Sequence, residues 1–229
     1  MTLHSLPSEK SLVREAPMPR DERSVRQYPS DVAFTPSVKQ VQAAKGSRAI
    51  YARMEAGRGW QARVTPELAQ FVAGLDMFYL GTANAEGQPY VQYRGGPRGF
   101  LKVLDEKTLG FADFSGNRQY ITLGNLSENP KAFLFLIDYV NRRRVKVWGT
   151  AKVIEDDPKL LHRLRDPEYP GKVEQAIVFV VEAWDINCQQ HIHRRFAESQ
   201  VTPVIEELRA RIADLEARLA HANENGTGS

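Results

Sequence analysis

Just after Asp76 the period of this chain changes, and that change restricts the fold more than any other feature. Between Ser37 and Leu75 apolar residues recur at helical spacing; beyond Asp76, short strand-like segments follow one another across tight polar turns. Met77–Ala83, Tyr90–Gly95, Phe100–Leu104, Leu109–Phe114, Ala132–Ile137, Val145–Ile154 and Ala176–Trp184 read as strands. Asn84-Ala85-Glu86-Gly87 and Asp105-Glu106-Lys107 read as hairpin turns. A short helix, Arg118–Leu126, interrupts the series, and Asn129-Pro130 ends it. Closely spaced strands with so little helix between them point to a mainly β, α+β fold built on an antiparallel barrel, not to a doubly wound parallel sheet.

The flanks are helical. Val38, Val41 and Ala44, then Ile50, Tyr51 and Met54, predict two short helices separated at Gly46. Thr65-Pro66-Glu67 sets hydroxyl, proline and carboxylate where a helix start wants them, and Leu68, Phe71, Val72 and Leu75 supply its apolar face. Asp157-Pro158 opens another helix with Leu160, Leu161 and Leu164 on one side. Thr202-Pro203 is expected to open the last. In it Ile205, Leu208, Ile212, Leu215 and Leu219 form a coiled-coil-like a/d seam flanked by Glu and Arg. That seam suits either a second subunit or the chain's own barrel. The expected division is an extended or disordered arm over residues 1–36, a barrel domain with its N-terminal helices over 37–198, and a C-terminal amphipathic helix and tail over 199–229.

Composition excludes several function classes. With 42% hydrophobic residues in 229, a proper core can form, and Lys plus Arg exceed acidic residues by only 31 to 28, too little to argue for a nucleic-acid partner. Cys188 is the sole cysteine, so no internal disulfide forms, as in a reducing cytosol. No apolar run approaches the roughly 20 residues that span a bilayer, and Met1–Pro36 lacks the apolar segment of a signal peptide. The expectation is a cytoplasmic protein without a membrane partner.

Three motifs carry chemistry. Arg94-Gly95-Gly96-Pro97 closes a strand, and its glycines would let a flat ligand approach the backbone, or mark a bulge at a barrel corner. Ser115-Gly116-Asn117-Arg118-Gln119 joins a strand to a helix. Exposed amides, the Arg118 guanidinium and the polar side chains of Ser115 and Asn117 make a phosphate seat there. Spacing alone also allows a capped helix start with a solvated arginine. Arg142-Arg143-Arg144 begins a strand on which Arg144 and Lys146 share one face. Near the C-terminal end of the barrel, His191 and His193 lie two apart, but no Cys or carboxylate completes a metal-ligand pattern, and no metal site is expected.

In order and spacing, Gly87-Gln88-Pro89-Tyr90, Leu109-Gly110-Phe111, Glu128-Asn129-Pro130 and Arg144-Val145-Lys146-Val147-Trp148-Gly149 resemble the FMN-binding split barrels related to pyridoxamine 5′-phosphate oxidase. The ending Asp185-Ile186-Asn187-Cys188-Gln189-Gln190-His191-Ile192 resembles a predicted flavin-nucleotide-binding branch of that superfamily. The resemblance spans roughly residues 67–195. It implies a split β-barrel with FMN at a homodimer interface; with the seam of the last helix, the expected partner is a second copy held through the barrel and the C-terminal helix. Arg94, Gly95 and Gly96 would lie along the flavin ring, and Ser115, Asn117, Arg118 and Gln119 would form the phosphate turn. Arg144 would be a polar flavin contact, and Gln190, His191 and Arg195 would close the site. Gln119 replaces the lysine of the oxidase's phosphate turn, and Gly95-Gly96-Pro97 replaces a strand end that carries a lysine there, which argues against pyridoxine phosphate oxidation. The implied function is an FMN-dependent oxidoreductase of open substrate, meeting a small-molecule redox partner, with no residue assigned as catalytic. The alternatives are a non-catalytic flavin- or haem-binding barrel for storage, sensing or transfer, with His191 or His193 as haem ligand, and a structural dimer module whose coiled coil recruits a partner.

Overall fold

The computed structural model describes residues 26–187 and 189–226. Seven strands form one antiparallel sheet: β1 Met77–Ala83, β2 Pro89–Gly95, β3 Lys102–Asp105, β4 Thr108–Phe114, β5 Lys131–Asp138, β6 Arg143–Ile154 and β7 Val173–Asn187. Their order across the sheet is β2-β1-β5-β6-β7-β4-β3. Hairpins join β1 to β2 and β3 to β4, as the turn chemistry predicts, and a third joins β5 to β6. Asn84 makes the first of these turns tight: its side-chain oxygen accepts from Gln88 N at 2.9 Å, and Gly87 supplies the positive φ of 89°. β3 is shorter than expected, since Phe100 and Leu101 are buried ahead of it rather than paired in it.

Alternation decides which face is the interior. Phe78 and Leu80 of β1, Leu134 and Leu136 of β5, and Val145 and Val147 of β6 are essentially inaccessible to solvent. The sheet curls so that β1 meets β4 across the core: the Phe78 and Phe111 rings cross edge to face at 5.1 Å. Because β2 and β3 do not pair, the result is an antiparallel split barrel. Gly149 allows the close crossing of β6 and β7 where their register shifts; a Cβ there would lie 2.0 Å from the Val180 carbonyl oxygen.

The described residues also form six α-helices: α1 Pro36–Ala44, α2 Arg48–Ala56, α3 Pro66–Ala73, α4 Ile121–Glu128, α5 Pro158–Leu164 and α6 Glu198–Gly226. Thr65 caps α3 by accepting from Leu68 N, and Leu68, Phe71 and Val72 bury one face of that helix in the core. Side chains of this size each contribute about 1.5–3 kcal/mol on burial. Asp157 caps α5 in the same way, and Leu164 packs with Ala112 and Ala176 outside β4 and β7.

Of the stretch expected as an arm, residues 1–25 lie outside the described residues. From Arg26 the chain packs on the barrel: Pro29–Val32 form a 3-10 turn, the Ser30 hydroxyl donates to buried Glu55, and Arg26 pairs with Glu182 of β7. The last helix also departs from expectation. It begins at Glu198, not at Thr202, and Pro203 lies inside it. Gln200 explains the early start, because its side-chain oxygen accepts from Ala197 N at 3.0 Å and so satisfies a donor ahead of the first turn.

Candidate functional site

The helix between β4 and β5 starts later than the sequence suggests. Arg118 and Tyr120 take left-handed backbone conformations, with φ of 59° and 53°, so helical geometry begins only at Ile121. Asn117 enforces this by accepting from Gln119 N at 3.2 Å, a local turn that competes with helix. The segment expected as the first turn of the helix is therefore a strained loop in front of it. Side chains seldom occupy this region, and such strain gathers at binding sites.

What the loop leads into is a helix end without a cap. No side chain caps α4, its first turn carries no acid, and its first backbone bond runs from Gly124 N to the Tyr120 carbonyl at 3.0 Å. The N–H groups of Ile121, Thr122 and Leu123 thus precede the intrahelical ladder. All three residues line a cleft of about 240 Å³ together with Arg94, Asp113, Asn117, Arg118, Gln119 and Glu174. The helix is held over the cleft by two side-chain bonds: the Thr122 hydroxyl donates to Gln92 Oε1 of β2 at 2.6 Å, and Asn125 Nδ2 donates to Thr82 Oγ1 of β1 at 3.0 Å.

Two arginines and two carboxylates face this cleft, so its formal charge is balanced. The carboxylate of Asp113 is already spent on the protein, however. One oxygen pairs with Arg94 and the other accepts from Gln175 Nε2 at 2.9 Å. Arg94 Nε is the one buried side-chain nitrogen or oxygen without a hydrogen-bond partner among the described residues. Arg118, by contrast, is exposed in the cleft wall. An exposed arginine and the row of amides at the helix start form a donor set suited to an oxyanion, and phosphate fits it.

The other expected site residues divide. Asn117, Arg118, Gln119 and Arg94 come together in the cleft. Ser115 sits at its margin, its N–H committed to the Lys172 carbonyl at 2.8 Å. Gly95 and Gly96 do not line it; they border a shallow depression with Asp76, Tyr93 and Tyr169. The expectation of an open, side-chain-free strand fails there for a steric reason. A Cβ on Gly95 would lie 2.8 Å from the Tyr93 ring, and one on Gly96 2.7 Å from Phe100, so the protein's own rings fill the space. Arg195 lines a third cleft, of about 320 Å³, with Arg98, Asp138 and Tyr139, and its guanidinium lies 4.8 Å from the centre of the Tyr139 ring. Arg144, Gln190 and His191 line none of these three clefts. His191 and His193 are not on a strand, since β7 ends at Asn187 and His191 is in a turn with φ of 63°. No group of three or more His, Cys, Asp or Glu side chains comes together among the described residues, nor is any described helix long and apolar enough to cross a membrane.

Sequence reasoning missed Asp113, Gln92, Thr122 and Glu174. The signal for Asp113 was present: an acid inside the apolar run Phe111-Ala112-Asp113-Phe114 must find a buried partner. It also missed a second polar feature, on the outer face of the sheet. Lys146 of β6 is paired in register with Asp185 of β7, and its ammonium lies 5.1 and 5.6 Å from the centres of the Trp148 and Trp60 rings, which stack at 4.6 Å. Burial pushes the Lys146 pKa down, opposed by the Asp185 charge. Burial likewise raises the Asp185 carboxyl above the usual range, opposed by Lys146.

Comparison with known proteins bears on the whole arrangement. No curated protein matches this chain. Among solved structures, HupZ of Group A Streptococcus is similar at 17% identity, over 58% of this chain and 98% of its own, with a TM-score of 0.45. An FMN-binding protein from Syntrophomonas wolfei is 14% identical over 66% of this chain and 95% of its own, with a TM-score of 0.41. A protein of the pyridoxinephosphate oxidase family from Clostridium acetobutylicum, related to general stress protein 26, is 17% identical over 59% and 94%, with a TM-score of 0.41. The family model described as pyridoxamine 5′-phosphate oxidase matches residues 64–187, from just before α3 to the end of β7 and more than half of the sequence, so the chain belongs to the pyridoxamine 5′-phosphate oxidase family.

Proposed function

We propose that this protein binds FMN by its phosphate at the start of α4 and acts as an FMN-dependent oxidoreductase. One observation carries the reading: the left-handed Arg118–Tyr120 loop presents an uncapped helix start and an exposed arginine to a cleft of about 240 Å³. The family match supports a flavin over other phosphorylated ligands. FMN, when bound, supplies hydride or electron transfer.

The chain's own residues then have distinct tasks. Arg118 and the amides of Ile121, Thr122 and Leu123 grip the phosphate oxygens. The pair of Arg94 with Asp113 fixes the floor of the cleft. Gln92 and Thr122 hold the helix end at the height of β2. At about 240 Å³ the cleft is smaller than the roughly 300–1,000 Å³ typical of whole-ligand sites. It suits the phosphate and ribityl end, and a second copy of the chain supplies the remaining wall. The exposed Val91 and Tyr93 on the edge strand β2 are the surface that such a copy would cover.

Titration of the purified protein with FMN and, separately, with riboflavin tests the reading. FMN is expected to bind saturably, with its fluorescence changed on binding, and riboflavin, which lacks the phosphate, much more weakly. Equal affinities would remove the phosphate seat. Uptake of haem with a Soret band, and none of FMN, would replace flavin by haem; uptake of neither would end the redox reading.

A further inference from the structure

α6 is exposed along its described length: no side chain from Ser199 to His221 is buried on the barrel. That includes Val201, Ile205, Leu208, Ile212, Leu215 and Leu219, whose exposures run from 37% to 63%. A continuous apolar stripe over some five turns of a free-standing helix is not stable in water without a partner. Its own barrel does not provide one, so the stripe faces outward.

The residue types say what fits it. With Ile205 at position a of the heptad, the a positions are Ile205, Ile212 and Leu219, and the d positions are Val201, Leu208 and Leu215. Isoleucine at a with leucine at d favours two parallel strands. The flanking charges agree. Arg211 falls at g and Glu216 at the following e, so a parallel, in-register pair sets each Arg211 against the Glu216 of the second copy. Antiparallel pairing would instead turn the g flank, with Arg211 and Arg218, toward the same flank of the other helix. Pro203 falls at f, on the outside, where it does not interrupt the seam. Arg218 has an intrahelical acidic neighbour, Asp214, at 3.9 Å, which leaves the Arg211–Glu216 exchange as the interchain one.

We propose that α6 zips to the α6 of a second copy of this chain as a parallel, in-register two-stranded coiled coil. This does not rest on the flavin reading, nor on dimer contacts through the barrel. It requires only that the two helices lie side by side with equal residues facing.

The test is site-directed cross-linking in the full chain with Cys188→Ser, which removes the only native thiol. Leu215→Cys places a thiol at d, where the paired Cα atoms come within disulfide reach; Ala217→Cys places one at f, facing away. Under mild oxidation at micromolar protein, Leu215→Cys is expected to form linked dimer at least about tenfold faster than Ala217→Cys, because only facing Cβ atoms satisfy disulfide geometry. Equal rates, or none at 215, would overturn the proposal, and a dimer held by the barrel alone gives that outcome. As a second measurement, Arg211→Glu in the Leu215→Cys chain is expected to slow cross-linking, and Glu216→Arg added to it to restore the rate. Failure of the double change to restore would overturn the parallel register. Circular dichroism of each variant confirms that the fold is intact.

Discussion

Arg94 on β2 and Asp113 on β4 form a buried ion pair, although four strands separate β2 from β4 in the order of the sheet. The sheet curls until its two ends meet, and this pair ties them beside the α4 cleft. It is both a fastening of the barrel and a wall of the candidate site. The first prediction follows from its burial, with side chains only 11% and 7% exposed. Asp113→Asn strands a buried guanidinium and is expected to lower unfolding stability by about 3 kcal/mol or more. Arg94→Met with Asp113→Leu, which removes both charges, is expected to cost clearly less than the sum of the single changes. Urea denaturation of the three variants measures it; additive losses would show that the two residues do not act as a pair.

Arg118 separates binding from folding. It is exposed in the cleft wall, outside the buried core. Arg118→Ala is expected to weaken FMN binding by about 1.5–3 kcal/mol, the scale of a hydrogen bond to a charged group, while leaving the unliganded protein within about 0.5 kcal/mol of its original stability. Fluorescence titration and urea denaturation read the two quantities. Arg118→Lys is expected to recover only part of the affinity, since an ammonium cannot fork onto two phosphate oxygens. An unchanged FMN affinity in Arg118→Ala would take this residue out of the site.

The outer-face pair gives a pH dependence. Burial raises the folded-state pKa of Asp185, so the folded protein holds that proton more tightly than the unfolded chain. The contribution to stability is therefore fully present below the unfolded value, about 3.9, and is lost as the pH rises through the folded value. Asp185→Asn cannot titrate. The stability of the variant relative to the original chain is expected to increase as the pH is raised from about 3.5 across this window. Denaturation at a series of pH values tests the sign, and a difference that stays flat would contradict it.

Two glycines should respond in opposite ways. Gly149→Ala puts a Cβ against the Val180 carbonyl and the Phe179 ring, so the β6–β7 crossing must open, at an expected cost of about 3 kcal/mol or more. Gly116→Ala meets nothing within 4 Å and is expected to stay within about 0.5 kcal/mol of the original. Thermal denaturation of the two side by side is sufficient, and near-equal midpoints would refute the steric assignment at Gly149.

Much of the fold was legible in the chain because its signals are local. The period-2 runs set the strands, most of them to within a few residues, and the Asn84–Gly87 turn set the first hairpin register. Thr65 and Asp157 marked two helix starts that the structure keeps. Local signals misled where a neighbour in space decides. The start of α4 moved to Ile121 because Arg118 and Tyr120 are held in left-handed conformations, which no propensity reveals. Gly95 and Gly96 suggested an open strand, yet whether that opening stays empty depends on where Tyr93 and Phe100 place their rings.

By itself, then, the sequence determined the strand and helix content, the antiparallel connections and the seam of the last helix, since each depends on residues a few positions apart. Only the tertiary structure decided that β2 and β4 close on one another through Arg94 and Asp113, that Arg118 and the α4 amides share one cleft while Arg195 lies in another, and that the seam of α6 is left off the barrel. These are contacts between residues far apart in the chain. They follow from the curl of the sheet, which packing of the whole core sets and no local stretch encodes.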